Sequence, residues 1–177
     1  MRVLKTLLRN LHRYVFLLMA CAFLLTWFYY AATDYSAKKK VAVYINAPEV
    51  RSRALEAELE KSLPEGIKAI RVHPFAYDIM GVGLPAEADI LIMTGSDIEH
   101  CFELLMPLED APEGAFIKDG IAYGAPFCGC GEFIGFADGE DHYICFAKSS
   151  VHTGKYDNAA FEVARILLDL KEGTHED

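Results

Sequence analysis

Ala88-Asp-Ile-Leu-Ile-Met-Thr-Gly-Ser-Asp-Ile-Glu99 is the stretch whose reading decides the fold. Ala88 to Met93 is an apolar run that reads as a strand, and Thr94-Gly95 ends it. Ser96-Asp-Ile-Glu99 then has the S-x-x-E form of a capping box, with Ser96 serving the backbone amide of Glu99 and Glu99 reaching back. The helix it opens is expected to carry Cys101, Leu104 and Leu105 inward. Upstream the same alternation occurs twice. Val41-Ala-Val-Tyr-Ile45 is apolar and β-branched at nearly every position, as a strand buried on both faces would be. Asn46-Ala-Pro48 is expected to open a helix, with Pro48 in its first turn and Val50, Ala54, Leu55, Leu59 and Leu63 forming one apolar stripe closed by Pro64-Glu-Gly66. Ile67 to Val72 is a second strand ending at His73-Pro74. A short helical or irregular piece through Tyr77 and Met80 follows, broken by Gly81, Gly83 and Pro85. Strand and helix in alternation predict a mainly parallel sheet with right-handed crossovers.

Downstream the pattern becomes more β-like. Ala115-Phe-Ile117 and Ile121 to Phe127 flank Lys118-Asp-Gly120, where Asp-Gly supplies the positive-φ residues of a tight hairpin. Gly129 and Gly131 alternate with Cys128 and Cys130 in a bend or loop. Tyr143 to Ala147 is a further strand. Asp157 is expected to cap a last helix whose shared face is Ala160, Phe161, Ala164, Leu167 and Leu168.

The N-terminal part is of a different kind. Tyr14 to Ala32 is nineteen residues without a charge, about 28 Å long as a helix and close to the ~30 Å hydrocarbon thickness of a bilayer. Trp27, Phe28, Tyr29 and Tyr30 would suit the interface. Arg2, Lys5, Arg9 and Arg13 precede the run without an acidic residue, so the positive-inside rule places residues 1–13 in the cytoplasm and the rest outside, against the weaker pull of Lys38, Lys39 and Lys40. An uncleaved anchor is expected. A cleaved signal would have a shorter apolar core, and a lipoprotein signal at Leu18-Met19-Ala20-Cys21 would turn polar sooner. The organisation that results is a basic N-terminus (1–13), a transmembrane helix (14–32), a linker (33–40), one extracytoplasmic α/β domain (41–172) and a tail (173–177). Of 17 Lys and Arg, four precede residue 33, whereas none of the 26 Asp and Glu does, so the outer part carries −13. That charge excludes nucleic acid and the surface of an anionic membrane as partners.

Several phrases carry a resemblance: VAVYINA (41–47), ADILIMTGSDIE (88–99), LLMPLEDAPEG (104–114), IKDGIAYGAPF (117–127) and KSSVHTGKYDNAAFEVARILLDL (148–170). In this order they resemble the first lobe of a bacterial extracytoplasmic solute-binding protein of the ABC-transporter kind. The resemblance implies one lobe of a type II periplasmic binding protein. The few residues between Phe127 and Tyr143 leave no room for a second, so a ligand would meet one wall where a good site encloses it on most sides.

Open α/β sheets place ligands at the carboxyl ends of their parallel strands. The candidate binding residues are accordingly Asn46 and Ala47, His73 and Phe75, Gly95, Ser96 and Asp97, and Phe127. Amides at the Ser96 helix start could hold an anion, which Asp97 would oppose. Cys101, Cys128, Cys130 and Cys145 lie on the oxidising side, where a disulfide is expected among them with three pairings open. Cys128-Gly-Cys130 could instead form a reducible dithiol or offer thiolates to a metal, with His100, His142 and His152 as further ligands if the fold gathers them. Ser149, Ser150 and His152 are neighbours in sequence, which is poor evidence for a nucleophile and base. No nucleophile elbow, phosphate loop or zinc-protease motif occurs. The expected function is recognition of a ligand or a protein partner, without catalysis or cofactor. A thiol-redox or metal-handling protein, or a structural subunit of a membrane complex, is the alternative.

Overall fold

The computed structural model describes residues 2–33, 35–75, 84–129, 132–137 and 139–170, with side chains in the first helix from 14 to 29. The chain divides into two units, Met1–Tyr35 and Ser36–Asp177. The first is one helix, α1 (Arg2–Thr33). Its described side chains are all exposed, including Phe16, Leu18, Phe23 and Leu25. The Thr26 hydroxyl is satisfied within the helix, donating to the Ala22 carbonyl at 2.8 Å. Among the described residues no helix is long and apolar enough to cross a membrane. The part of α1 with described side chains is itself shorter than the uncharged run 14–32.

The second unit is an α/β domain. Its elements are β1 (Lys40–Ile45), β2 (Glu49–Val50), α2 (Ser52–Leu59), β3 (Ala69–Pro74), β4 (Ile90–Thr94), α3 (Gly95–Cys101), β5 (Phe116–Lys118), β6 (Ile121–Phe127), β7 (Ile134–Gly135), β8 (His142–Phe146) and α4 (Ala159–Asp169). Six strands form the main sheet in the order β3-β1-β4-β8-β6-β5. β1 is central to a parallel trio with β3 and β4. β8 runs antiparallel between β4 and β6, and β5 lies antiparallel at the edge beside β6. Four of the six strands thus point one way. The antiparallel half follows from short connections, since a parallel pair needs a long crossover and a hairpin needs only two residues. That hairpin is present, with Asp119 at φ 52° and Gly120 at φ 79°, the left-handed pair of a type I′ turn.

Both faces of the sheet are covered. β4 is buried at all five positions, and alternate residues serve opposite cores because successive side chains point to opposite faces. Ile90 and Ile92 join Val41, Val43, Ile45, Ile144 and Phe146 against Leu55 and Leu59 of α2 and Ala160, Val163 and Leu167 of α4. Leu91 and Met93 join Ile98 and Cys101 of α3 with Leu105, Tyr123 and Cys145. Each fully buried Leu or Ile contributes roughly 1.5–3 kcal/mol over its exposed state.

Several local expectations are corrected. Asn46-Ala-Pro48 does not open a helix, because Glu49–Val50 pairs antiparallel with Ile134–Gly135 as a separate two-stranded sheet, and α2 starts only at Ser52. The capping box lies two residues earlier than the S-x-x-E pattern: Thr94 is the N-cap and Asp97 the returning carboxylate. Leu104 is 47% exposed where Leu105 is buried, since the helix tightens to a 3-10 turn at Phe102–Leu104. Asn158 is the N-cap of α4, although Asp157 Oδ1 still accepts from the Ala159 amide at 3.0 Å. The expected disulfide is not formed among the described residues, where Cys101, Cys128 and Cys145 are free thiols. Cys130 and the expected piece through Tyr77 and Met80 lie outside the described residues.

At the amino end of β4 a buried polar network joins three segments. Asp89 accepts from the Ala42 amide at 2.9 Å and from Ser150 Oγ at 2.6 Å. Ser150 Oγ in turn accepts from the His152 amide at 3.0 Å. The His152 ring has no exposed surface. Its Nδ1 meets Asp157 Oδ1 at 2.7 Å and its Nε2 meets the Ala37 carbonyl at 2.7 Å. Both partners are acceptors, so both ring nitrogens donate and the ring is an imidazolium. Burial acts to lower the pKa of His152, but its hydrogen bonds to Asp157 and Ala37 and the charges of Asp89 and Asp157 outweigh it, raising the pKa above 6.5. Burial raises the Asp89 pKa as well, more than its hydrogen bonds from Ser150 and Ala42 lower it.

Candidate functional site

The sequence places its candidate site at the carboxyl ends of the parallel strands, and the structure assembles part of it there. β1 hands the chain to Asn46, whose amide donates to the Ile92 carbonyl at 2.8 Å. The Asn46 side chain donates from Nδ2 to Asp97 Oδ2 at 2.5 Å. Asp97 also accepts from the Thr94 amide at 3.3 Å and donates its own amide to Thr94 Oγ1 at 3.3 Å, while the Ser96 hydroxyl bonds Thr94 Oγ1 at 2.8 Å. Asn46, Ser96 and Asp97 are therefore brought together, but Asn46 and Asp97 bond each other and Ser96 bonds Thr94. This cluster fastens the end of β1 to the start of α3. At the helix start where amides could hold an anion, Thr94 and Asp97 form the cap of a helix of seven residues, with the Asp97 carboxylate that would oppose an anion.

The other candidates separate. Ala47 packs at the margin of the core that holds α2 and α4. His73 is exposed, its ring 5.0 Å from that of Tyr44. Phe75 is buried in the opposite core, edge-on to Tyr44 at 6.2 Å. A Cβ on Gly95 would lie 3.4 Å from the Phe116 ring and 3.6 Å from that of Tyr143, so Gly95 is a packing position. Phe127 reaches a cavity.

That cavity is an open cleft of about 440 Å³ lined by Gly114, Pro126, Phe127, Cys128, Phe136, Glu140, Asp141, His142 and Tyr143. It lies on the predicted edge of the sheet, because His142 stands in register with Thr94 on one side and Phe127 on the other. An aromatic stack builds its wall: Phe136 lies flat on His142, centroids 3.8 Å apart at 25°, and edge-on to Phe127 at 5.9 Å. Gly129, at φ 89°, lets this ring approach, since a Cβ there would stand 2.9 Å from it.

His142 is the residue that sequence reasoning left unplaced. It is 5% exposed. Its Nδ1 meets the Glu140 carbonyl at 3.0 Å, and a carbonyl only accepts, so Nδ1 carries a proton and the neutral tautomer compatible with this bond has its lone pair on Nε2. No enclosed side-chain nitrogen or oxygen among the described residues lacks a partner. Nε2 has no partner among the described residues and so is not enclosed, and His142 is part of the cleft's lining. Two exposed carboxylates, Glu140 and Asp141, share the lining, and among the described residues no lysine or arginine does. Cys128 is exposed and shares the lining, in place of the disulfide expected of it.

The three histidines considered as metal ligands do not converge. His100 is exposed on α3, His142 lies in the cleft and His152 is buried at the amino end of β4. Among the described residues no three His, Cys, Asp or Glu side chains are grouped to hold a metal ion. Ser150 and His152 are spatial neighbours, as they are in sequence. Ser150 donates to Asp89, however, and the His152 ring is turned to Asp157 and Ala37. A nucleophile–base pair requires the ring to accept from the hydroxyl, and this ring has no lone pair left to do so. No protein-family model, no curated protein and no solved structure matches the chain.

Proposed function

We propose that this protein is a membrane-anchored recognition domain, held at the outer face of a membrane by the run Tyr14–Ala32, which contacts its ligand or partner through the cleft at the carboxyl edge of the sheet. The observation that carries the reading is the cleft itself: an aromatic wall and an available imidazole nitrogen at the edge where open α/β sheets bind. The resemblance to one lobe of a solute-binding protein supports it, since the strand ends of such a lobe form one wall of the binding site. The anchor is supported by the exposed apolar surface of α1 and by the internal satisfaction of Thr26, because a helix in lipid must satisfy its polar groups itself. One wall encloses little of a small molecule, so the reading favours a protein partner or a weak ligand, with affinity for free small molecules weaker than about 100 μM.

The orientation is tested with single introduced cysteines near Lys5 and near Thr174, in a background lacking the native ones, exposed to an impermeant maleimide on intact cells. Labelling near Thr174 alone is expected, and labelling near Lys5 alone would reverse the topology. For the cleft, a photo-crosslinking side chain at Asp141 is compared with one at Arg165 on the far helix. Products confined to Asp141 are expected, and equal products at both positions would remove the cleft from the function.

A second reading is favoured by one observation. Cys128 is an exposed thiol on the same cleft as His142 Nε2, and thiols and imidazoles together handle soft metals and disulfide exchange. A stoichiometric metal in the purified protein, or a mixed disulfide trapped at Cys128 in cells, would promote it.

A further inference from the structure

Resting on the recognition reading, we infer that the cleft takes a protonated nitrogen: an alkylammonium or guanidinium group carried on an apolar stem, as a free amine or as a basic side chain of a partner. The first reason is the buried acceptor. His142 is more than nine-tenths buried, and its Nδ1 proton is committed to the Glu140 carbonyl. Phe136 stacked on the ring fixes its plane. In the neutral tautomer that this bond selects, Nε2 is an acceptor with no partner among the described residues, on a ring that lines the cleft, and a hydrogen-bond donor is what would meet it.

The second reason is charge. Among the described residues the ionisable groups that line the cleft are Glu140, Asp141, His142, Cys128 and Tyr143, with no lysine or arginine among them. A carboxylate or phosphate would meet two negative charges and a lone pair. A metal ion would need three or four converging ligands, and the described residues supply no such group. A protonated amine or guanidinium satisfies both conditions, because its N–H groups donate to Nε2 and to the carboxylates while its charge is complementary.

The third reason is the stem. Phe127, Phe136, Tyr143 and Pro126 bring apolar and aromatic surface to the same cavity, and aromatic faces hold cations and their methylenes together. A volume of about 440 Å³ exceeds what a lysine or arginine side chain fills, so a segment of a partner can enter with it. The Asn46–Asp97 pair is already satisfied internally. Discrimination therefore falls to His142, Glu140 and Asp141.

The test uses the full chain in detergent micelles, labelled with ¹⁵N-histidine, and follows the His142 ring signals at constant pH. Three probes are added: n-butylammonium, the peptide acetyl-Gly-Arg-Gly-amide, and butyrate as the anionic match of the first. Saturable shifts of His142 with the first two and none with butyrate are expected. Binding should weaken roughly tenfold in Glu140→Gln/Asp141→Asn, a double variant of two exposed residues that leaves the fold intact. Tighter binding of the peptide than of butylammonium would identify a partner's side chain as the source, and the reverse order a free amine. Saturation by butyrate equal to that by the amine would overturn the ligand class while leaving the cleft as the recognition site. Silence of His142 to all three probes, with the domain's spectrum intact, would overturn both.

Discussion

Replacing His152 by alanine should destabilise the domain and remove the loss of stability that sets in as the pH rises above about 6.5. The ring has no exposed surface and donates two bonds of 2.7 Å, to the Asp157 carboxylate and the Ala37 carbonyl. Removing one member of a buried charged pair costs about 3–5 kcal/mol when the other is left dry. Asp157 keeps the Ala159 amide and is 31% exposed, so water recovers part of the loss and about 2–3 kcal/mol is expected. For a domain of this size that lowers the melting temperature by roughly 6–9 °C. The folded pKa lies above the unfolded value of about 6.5. The stabilisation is therefore complete below about pH 6.5 and is lost as the pH rises through the folded pKa, with a slope of at most ~1.4 kcal/mol per pH unit. Asp89, whose folded pKa is also raised, adds a loss of the same sign beginning nearer its own unfolded range. Urea unfolding of the full chain in micelles at pH 6, 7 and 8 reports this through the near-ultraviolet circular dichroism of tyrosine and phenylalanine, because the one tryptophan, Trp27, lies in α1. Asp157→Asn should flatten the slope while retaining the ring. Wild-type stability that rises from pH 6.5 to 8, or a slope unchanged in His152→Ala, would refute the imidazolium assignment.

Gly124→Ala should cost about 1–3 kcal/mol by overpacking, since the new methyl would stand 2.8 Å from Tyr143 Cβ, 3.0 Å from Cys145 Sγ and 3.3 Å from Ile98 Cδ1; thermal unfolding measures it, and an unchanged midpoint would mean that β6 shifts freely against β8. Timed alkylation with mass mapping at pH 8 should modify Cys128 well before Cys101 and Cys145. Burial pushes the Cys101 thiol up to about 11 and that of Cys145 higher still, and only the thiolate reacts, so equal rates for the three would show that the core around α3 opens readily.

Much of the fold was legible because it rests on local patterns. Val41–Ile45 and Ile90–Met93 could only be strands covered on both faces, and the Asp119-Gly120 turn carries its positive φ angles in its residue types. The last helix was readable from its stripe, and Ala160, Ala164 and Leu167 are buried as expected. Errors fell at element ends, where two signals compete. Thr94 and Ser96 both suit an N-cap, and Thr94 takes the position because β4 delivers its backbone in extended geometry beside Asp97. Pro48 suits a first turn, but pairing of Glu49–Val50 with β7 keeps the chain extended. That partner lies some eighty residues away, beyond any local signal.

The alternation of strands and helices, the parallel trio, the hairpin and the uncharged N-terminal run are written in the sequence itself. Each depends on the periodicity or conformational preference of neighbouring residues, which the chain states directly. Which groups at the carboxyl ends of the strands are available depends on contacts between distant segments. Asp97 and Asn46 are spent on each other, Phe75 is buried in a core, and His142 lines a cleft with its Nδ1 committed to the Glu140 carbonyl. The tertiary structure likewise separated His152 from a catalytic role, by turning both ring nitrogens to acceptors drawn from distant parts of the chain. Availability is a property of what surrounds a polar atom once burial has forced it to find partners, and the sequence carries no local record of those partners.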